Sequence, residues 1–362
     1  MLTTRAEAVV DLDAVRESVT ILRDAAGGAE VLAAVKADGY GHGAEQVARA
    51  ALEAGASWLG VVMVEEGVAL RQAGINAPIL VMMEPPPGAG RVAAEHALDL
   101  GVGSLTSLRD AAEAGARVHL KVDTGLSRGG TLDWPALVEE ALRLRAEVVG
   151  IWSHLACADK PGAPSNAAQV ARFEEALGVA ARLGLTPRLR HLANSAATLT
   201  MPEARYDLVR PGIAVYGLSP VAGETFGLRP AMTLRARVAL TKRVPPDTGV
   251  SYGHRYRTSA ETTLALVPVG YADGVPRAAT NVAEVWLGGA RRRISGTVCM
   301  DQFVVDVGDA AVEAGDVVVL FGEGLHGEPT AQDWADALGT ISYEVVTRVG
   351  SRVPRTYVGA SS

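Results

Sequence analysis

Eight short apolar runs, each followed by a stretch of helical periodicity, fill the first two-thirds of this 362-residue chain. The runs are VLAAVKA (31–37), WLGVVMV (58–64), PILVMM (78–83), LDLGVG (98–103), RVHLKVD (117–123), EVVGIWSH (147–154), RLRHLAN (188–194) and YDLVRPG (206–212). They are nearly continuous in Val, Ile and Leu, as strands covered on both faces should be. Between them, segments such as GAEQVARAALEAGA (43–56) and SNAAQVARFEEALGVAARLG (165–184) carry apolar residues at i, i+3, i+4 and i+7. This alternation predicts an N-terminal (β/α)8 barrel of the TIM type. A doubly wound parallel sheet is the alternative, because the run at 98–103 is the weakest. A leading helix is expected after Asp13 as its N-cap.

The texture changes near residue 230. TLRARVALTKRV, TTLALVPVGYA, AEVWLGG, RRRISGTVCMDQFVVDVG and AGDVVVLFG are strand-like and separated by Gly, Pro and Asp turns, with one helix expected over 330–339. The division is therefore a barrel over 1–230 and a C-terminal, mostly antiparallel β-domain over 231–362. Hydrophobic residues make up 48% of the chain, ample for a core, and the formal net charge of −7 gives no electrostatic footprint for nucleic acid. Arg291, Arg292 and Arg293, the one tight basic run, read as a solvated strand edge. Cys157 and Cys299 have neither CxxC spacing nor a disulfide-rich context, and no metal site is expected. No apolar run approaches the ~18 residues of a membrane span. The first residues lack the charged start and apolar core of a signal peptide. A cytoplasmic protein with no membrane or nucleic-acid partner is expected.

Barrel enzymes carry their sites at the C-terminal ends of the strands. Here Lys36 closes the first run, and KVDTGLSRGG places Lys121, Asp123 and Arg128 at and after the fifth. His154 closes the sixth, His191, Asn194 and Ser195 the seventh, Arg210 and Gly212 the eighth. Each taken alone reads more readily as structural than functional, but five strand ends agreeing on one rim point to a site. A desolvated lysine has a lowered pKa and a neutral amine that attacks carbonyls. Barrels often bind phosphate after strands seven and eight, where Asn194-Ser195 and Gly212-Ile213 offer a hydroxyl and backbone N–H groups. A phosphate carrying an aldehyde suggests pyridoxal 5′-phosphate, with Arg210 as partner to the ring nitrogen. Arginine keeps its proton, so it would donate a hydrogen bond to an unprotonated nitrogen and leave the ring a weaker electron sink. That suits removal and return of a Cα proton.

AVKADGYGHG, KVDTGLSRGG, HLANSAA, RPGIAVYG, GVSYGHRY, GYADG, VCMDQ and SYEVVTRVGSRVPR resemble, in order and over nearly the whole chain, the signatures of the alanine racemase family. The resemblance implies a pyridoxal-phosphate (fold type III) barrel with a C-terminal β-domain, acting as a homodimer that interconverts L- and D-alanine and supplies D-alanine for peptidoglycan. It implies that Lys36 is the Schiff-base lysine and one base, and Tyr252, from the other subunit, the opposing base. Tyr40, Ser195, Gly212, Ile213 and Tyr343 match phosphate contacts, and Arg210 the pyridine contact. His154 and Arg210 match the groups that tune the tyrosine. Arg128 and Met300 match substrate-carboxylate contacts, Lys121 a lysine often carbamylated, and Tyr271 the access channel. The chain departs from the pattern at Val275, where a tyrosine is common, and at Cys157 within HLACAD. These bear on substrate breadth. A racemase of serine or of broader specificity is the alternative, and a fold type III decarboxylase, whose ring-nitrogen partner is generally acidic, a more distant one.

Overall fold

In the computed structural model, which describes residues 4–359, the chain opens with strand β1 (Ala6–Asp11) and the helix Leu12–Ala26. Asp11, not Asp13, caps that helix: its carboxylate accepts the N–H groups of Asp13 (2.9 Å) and Ala14 (3.2 Å). Eight strands follow: β2 (Glu30–Ala34), β3 (Trp58–Val61), β4 (Ile79–Val81), β5 (Asp99–Val102), β6 (Val118–Lys121), β7 (Val148–Trp152), β8 (Leu189–His191) and β9 (Leu208–Val209). They lie in one sheet in the order β8-β7-β6-β5-β4-β3-β2-β9, with every pair parallel. Asp207 N–H to Arg190 C=O (3.0 Å) and Arg210 N–H to Ala193 C=O (2.9 Å) join the remaining edges, so the sheet nearly closes into the expected barrel. The run at 98–103, the weakest in sequence, is a full member as β5.

Every residue of β3, β4, β5 and β6 is buried, which is why these strands read as unbroken apolar runs. Leu32, Leu59, Ile79, Leu80 and Leu100 lose essentially all exposure, each worth about 1.5–3 kcal/mol. Val15–Gly39 and Ala44–Leu228 form this unit.

The second unit begins at the N-terminus, runs to Ala14, and takes in Tyr40–Gly43 and the chain from Arg229 onward. The reading of 1–230 as barrel therefore differs from the structure at the start of the chain. Its C-terminal strands are β10 (Met232–Arg237), β11 (Leu240–Val244), β12 (Gly249–Val250), β13 (Tyr256–Arg257), β14 (Thr262–Val267), β15 (Glu284–Leu287), β16 (Ala290–Arg293), β17 (Phe303–Gly308), β18 (Val317–Phe321) and β19 (Arg355–Val358). One six-stranded sheet runs β16-β15-β18-β10-β1-β19, so β1 lies between two C-terminal strands. Its alternation explains this: Ala6, Ala8 and Val10 are buried, while Glu7 meets Arg235 and Thr356 on the other face. A second sheet runs β11-β14-β17 and a third pairs β12 with β13. All pairs are antiparallel except β1–β19. The triple arginine sits on edge strand β16, as expected. The helix Ala331–Leu338 carries a capping box between Thr330 and Asp333, and a further helix, Ser342–Thr347, was not read from sequence.

Candidate active site

Lys36 lies two residues beyond β2 and opens one turn of left-handed helix. Ala37, Asp38 and Gly39 have φ of 52°, 51° and 60°, and Tyr40 follows at 51°. Left-handed backbone costs about 1–2 kcal/mol per non-glycine residue, so the surroundings must impose it. Glu66 does much of this. One carboxylate oxygen accepts Ala37 N–H at 2.7 Å, and the other accepts Val62 N–H at 2.8 Å and Met63 N–H at 3.1 Å. Asp38 accepts Ala44 N–H at 2.9 Å, and Gly39 N–H reaches Val35 C=O at 2.9 Å. The turn ends where only glycine fits: a Cβ on Gly41 would stand 2.5 Å from Val346 O. Burial lowers the pKa of the Lys36 amine, Arg128 lowers it further, and Glu66 opposes the shift.

Arg210 follows β9 and is 4% exposed. Its guanidinium donates to the carbonyls of Ser153 (2.6 Å) and Leu192 (3.2 Å), to His191 Nδ1 (3.1 Å) and to His154 Nδ1 (3.4 Å). Burial pushes Arg210 down to about 9, so it stays charged at neutral pH. His154 goes the other way. Burial first, then Arg210, Arg128, Lys121 and Lys36, push it down to about 3 and keep it neutral. Its Nδ1 faces an arginine donor, so its proton sits on Nε2. Lys121 and Arg210 both lie against the Trp152 indole, at 4.4 and 4.8 Å from the ring centre. Burial, Arg210 and Arg128 push Lys121 down to about 8.

Arg128 rides on a loop held by Asp123, whose carboxylate accepts the N–H groups of Gly125, Leu126 and Ser127 at 2.9–3.1 Å. Asp123 is thus a loop anchor. Ser195 and Gly212 meet directly: the Ser195 hydroxyl oxygen accepts Gly212 N–H at 2.8 Å and Ala214 N–H at 3.3 Å. Asn194 caps the helix Ser195–Thr200 by accepting Ala197 N–H, and Ile213 begins the next helical turn.

Tyr40, Tyr252, Tyr271, Met300 and Tyr343 belong to the β-rich unit. The Tyr40 and Tyr343 rings lie 6.3 Å apart, and burial raises the pKa of Tyr40. Tyr252, Tyr271 and Met300 are 74, 44 and 53% exposed. Their loops are stitched together. Thr297 Oγ1 donates to Tyr252 C=O (2.7 Å), Ser251 Oγ to Thr297 C=O (2.6 Å), Tyr271 N–H to Cys299 C=O (3.0 Å) and Ala272 N–H to Met300 C=O (2.9 Å). Gly270 is required there, because a Cβ would lie 2.2 Å from Cys299 O.

Sequence reasoning missed Glu66 and Trp152. The signal for Glu66 was its place three residues after Met63 at a helix start. For Trp152 it was an aromatic two residues before His154 at a strand end.

A nearly closed parallel barrel whose strand ends gather two lysines with lowered pKa values around a buried arginine, joined to an antiparallel β unit, defines a barrel enzyme. Sequence models of alanine racemase match in order, the N-terminal domain over residues 10–220 and the C-terminal domain over 231–357. The chain belongs to the alanine racemase family and is an isomerase. The alanine racemase of Frankia casuarinae is 58% identical over 370 residues, spanning 98% of this chain and 96% of the relative. That of Streptomyces coelicolor is 52% identical over 375 residues, spanning 98 and 96%. Among solved structures, alanine racemase from D-cycloserine-producing Streptomyces lavendulae superposes with a TM-score of 0.97 at 49% identity, covering 100% of this chain and 99% of that one. The Bacillus anthracis enzyme with bound L-Ala-P gives 0.93 at 36% identity, covering 99 and 96%.

Proposed function

We propose that the protein interconverts L-alanine and D-alanine in the cytoplasm with pyridoxal 5′-phosphate at the barrel mouth, and so supplies D-alanine for peptidoglycan. The observation that carries this reading is the buried, charged guanidinium of Arg210, which can offer hydrogen bonds but not a proton.

The residues present fit that cofactor. Lys36 supplies an amine made more nucleophilic by burial. The Ser195 hydroxyl beside Gly212 and Ile213 suits a phosphate, and the family resemblance adds Tyr40 and Tyr343 as further contacts. When bound, the cofactor supplies the electron sink that acidifies the Cα–H bond of an amino acid. Lys36 then holds or releases the proton on one face and the partner's Tyr252 on the other. His154 and Arg210 lower the cost of ionising that tyrosine. Arg128 and the partner's Met300 hold the substrate carboxylate. Lys121, part neutral near pH 8, is available for carbamylation, and a carbamate beside Arg128 would orient it. Tyr271 lines the access channel. The exposed patch of Tyr252, Tyr271 and Met300 supports a homodimer in which this surface meets a second copy.

The test follows optical rotation of the cofactor-loaded protein with L-alanine and, separately, D-alanine. Both are expected to converge on the racemate, faster than L-serine or L-lysine, and Lys36→Ala to abolish the change. Absence of D-alanine from L-alanine, or full activity in Lys36→Ala, would reject the reading.

A further inference from the structure

Arg210 has no carboxylate partner among the described residues, yet it ends a buried chain of hydrogen bonds that crosses the barrel. His191 Nδ1 lies 3.1 Å from Arg210 Nη1, His191 Nε2 lies 2.9 Å from His119 Nδ1, and His119 Nε2 lies 3.2 Å from Asp99 Oδ2. Arg117 donates to the other Asp99 oxygen at 2.8 and 2.5 Å. Asp99, His119 and His191 are fully buried. Asp99 is the first residue of β5, His119 the second of β6, and His191 the last of β8. The chain therefore begins at the N-terminal end of one strand and finishes at the functional rim.

Its direction is fixed at both ends. Arginine has donors only, so His191 Nδ1 must accept, and His191 carries its proton on Nε2. That proton goes to His119 Nδ1, and His119 in turn donates from Nε2 to Asp99. The carboxylate accepts from both sides. Burial keeps both imidazoles neutral, as this pattern needs.

The barrel makes room for these rings. A Cβ on Gly150 in β7 would stand 2.5 Å from His119 Nδ1 and 3.0 Å from His191 Nε2, at the contact itself. Trp152 stacks flat on His191 at 5.7 Å, Trp58 meets His119 edge-on at 5.5 Å, and a Cβ on Gly101 would lie 2.9 Å from Trp152. Barrel interiors are ordinarily filled by Val, Ile and Leu. An apolar layer would hold the barrel at least as well without burying polar groups.

We propose that Asp99 and His119 are positioning residues that, through His191, orient the Arg210 guanidinium from the opposite end of the barrel. The Asp99 carboxylate sets the direction of every proton in the chain, and His191 Nδ1 is thereby presented as the acceptor that holds Arg210. The effect on catalysis rests on the reading of Arg210 as a cofactor contact; the direction of the protons does not.

The test is made on the cofactor-loaded enzyme. In Asp99→Asn, the amide oxygen satisfies Arg117 and the amide NH2 faces His119 Nε2. A donor–donor clash then falls at one end of the chain, and the proposal places it at Arg210, with His119 and His191 carrying their protons on Nδ1. Nitrogen-15 NMR of labelled histidines is expected to find both imidazoles as Nε2–H in the wild type and as Nδ1–H in Asp99→Asn. The visible cofactor band is expected to shift, and kcat to fall roughly 10- to 100-fold. His119→Gln can keep the direction, since its carbonyl accepts from His191 and its NH2 donates to Asp99. Its kcat is expected to stay within about threefold of wild type, whereas His119→Leu should match the Asp99→Asn loss. Wild-type tautomers in Asp99→Asn, or reversed tautomers with unchanged band and kcat, overturn the proposal. So does a His119→Leu protein that folds with wild-type kcat. Arg210→Lys with unchanged band and kcat instead removes the reading of Arg210.

Discussion

Glu66 accepts the N–H of Ala37 at 2.7 Å and thereby pins the backbone directly after Lys36. The same carboxylate takes two N–H groups from the chain after β3, so it ties neighbouring strand ends together.

Replacing Glu66 by Gln leaves one acceptor oxygen and sets an NH2 group against backbone N–H donors. The expected cost is about 1–3 kcal/mol of stability, the penalty for unsatisfied donors. The left-handed turn should relax, and Lys36 should hold cofactor less well. Urea unfolding and cofactor content after gel filtration measure both effects. Wild-type values for both would mean that the turn is held without Glu66.

His119, His154 and His191 all have pKa values held below the ordinary 6.5, chiefly by burial, and for His154 down to about 3. In the unfolded chain they bind protons below pH 6.5; in the folded protein they do not. Stability is therefore complete above pH 6.5 and falls as the pH drops toward the folded values. Each excess proton changes the slope by about 1.4 kcal/mol per pH unit. Urea midpoints are expected to decline from pH 7 to 5, ahead of the carboxylate range, and His154→Gln to decline less steeply. A flat midpoint across that window would contradict neutral histidines.

Mixing Lys36→Ala and Tyr252→Phe proteins tests the shared site. If the two bases come from different chains, a mixed dimer has one intact site and one lacking both. Random exchange gives mixed dimers in about half the population, so roughly a quarter of wild-type activity should return. No recovery after exchange, verified with differently tagged chains, would place both bases in one chain.

Much of the barrel was legible because strands covered on both faces leave continuous apolar runs, even at β5. The same rule hid β1: Ala6 to Asp11 alternates and belongs to a one-faced sheet, but it is short and precedes a helix. The helix Ser342–Thr347 escaped because Val345 and Val346 favour strands and Ile341 offers no side-chain cap. Lys36, Arg210 and His154 were visible as polar ends of apolar runs. Glu66 showed only its helix-start position after Met63; its tie to Ala37, 29 positions away, left no local mark. Asp99 and His119 stood inside apolar runs, where a polar residue in a doubly covered strand was itself a sign of a buried partner.

The place of β1 between β10 and β19 has a consequence for synthesis. Val10 pairs with Met232, so about 220 residues (232 minus 10) must be made before its first neighbour exists. At about 5–20 residues per second, that is roughly 10–45 s. The barrel segment emerges during this interval, while the leading strand waits with both edges open. The last strand, β19, comes later still. Nascent chains stalled before Met232 should therefore carry an unpaired, aggregation-prone N-terminal segment that the finished protein conceals.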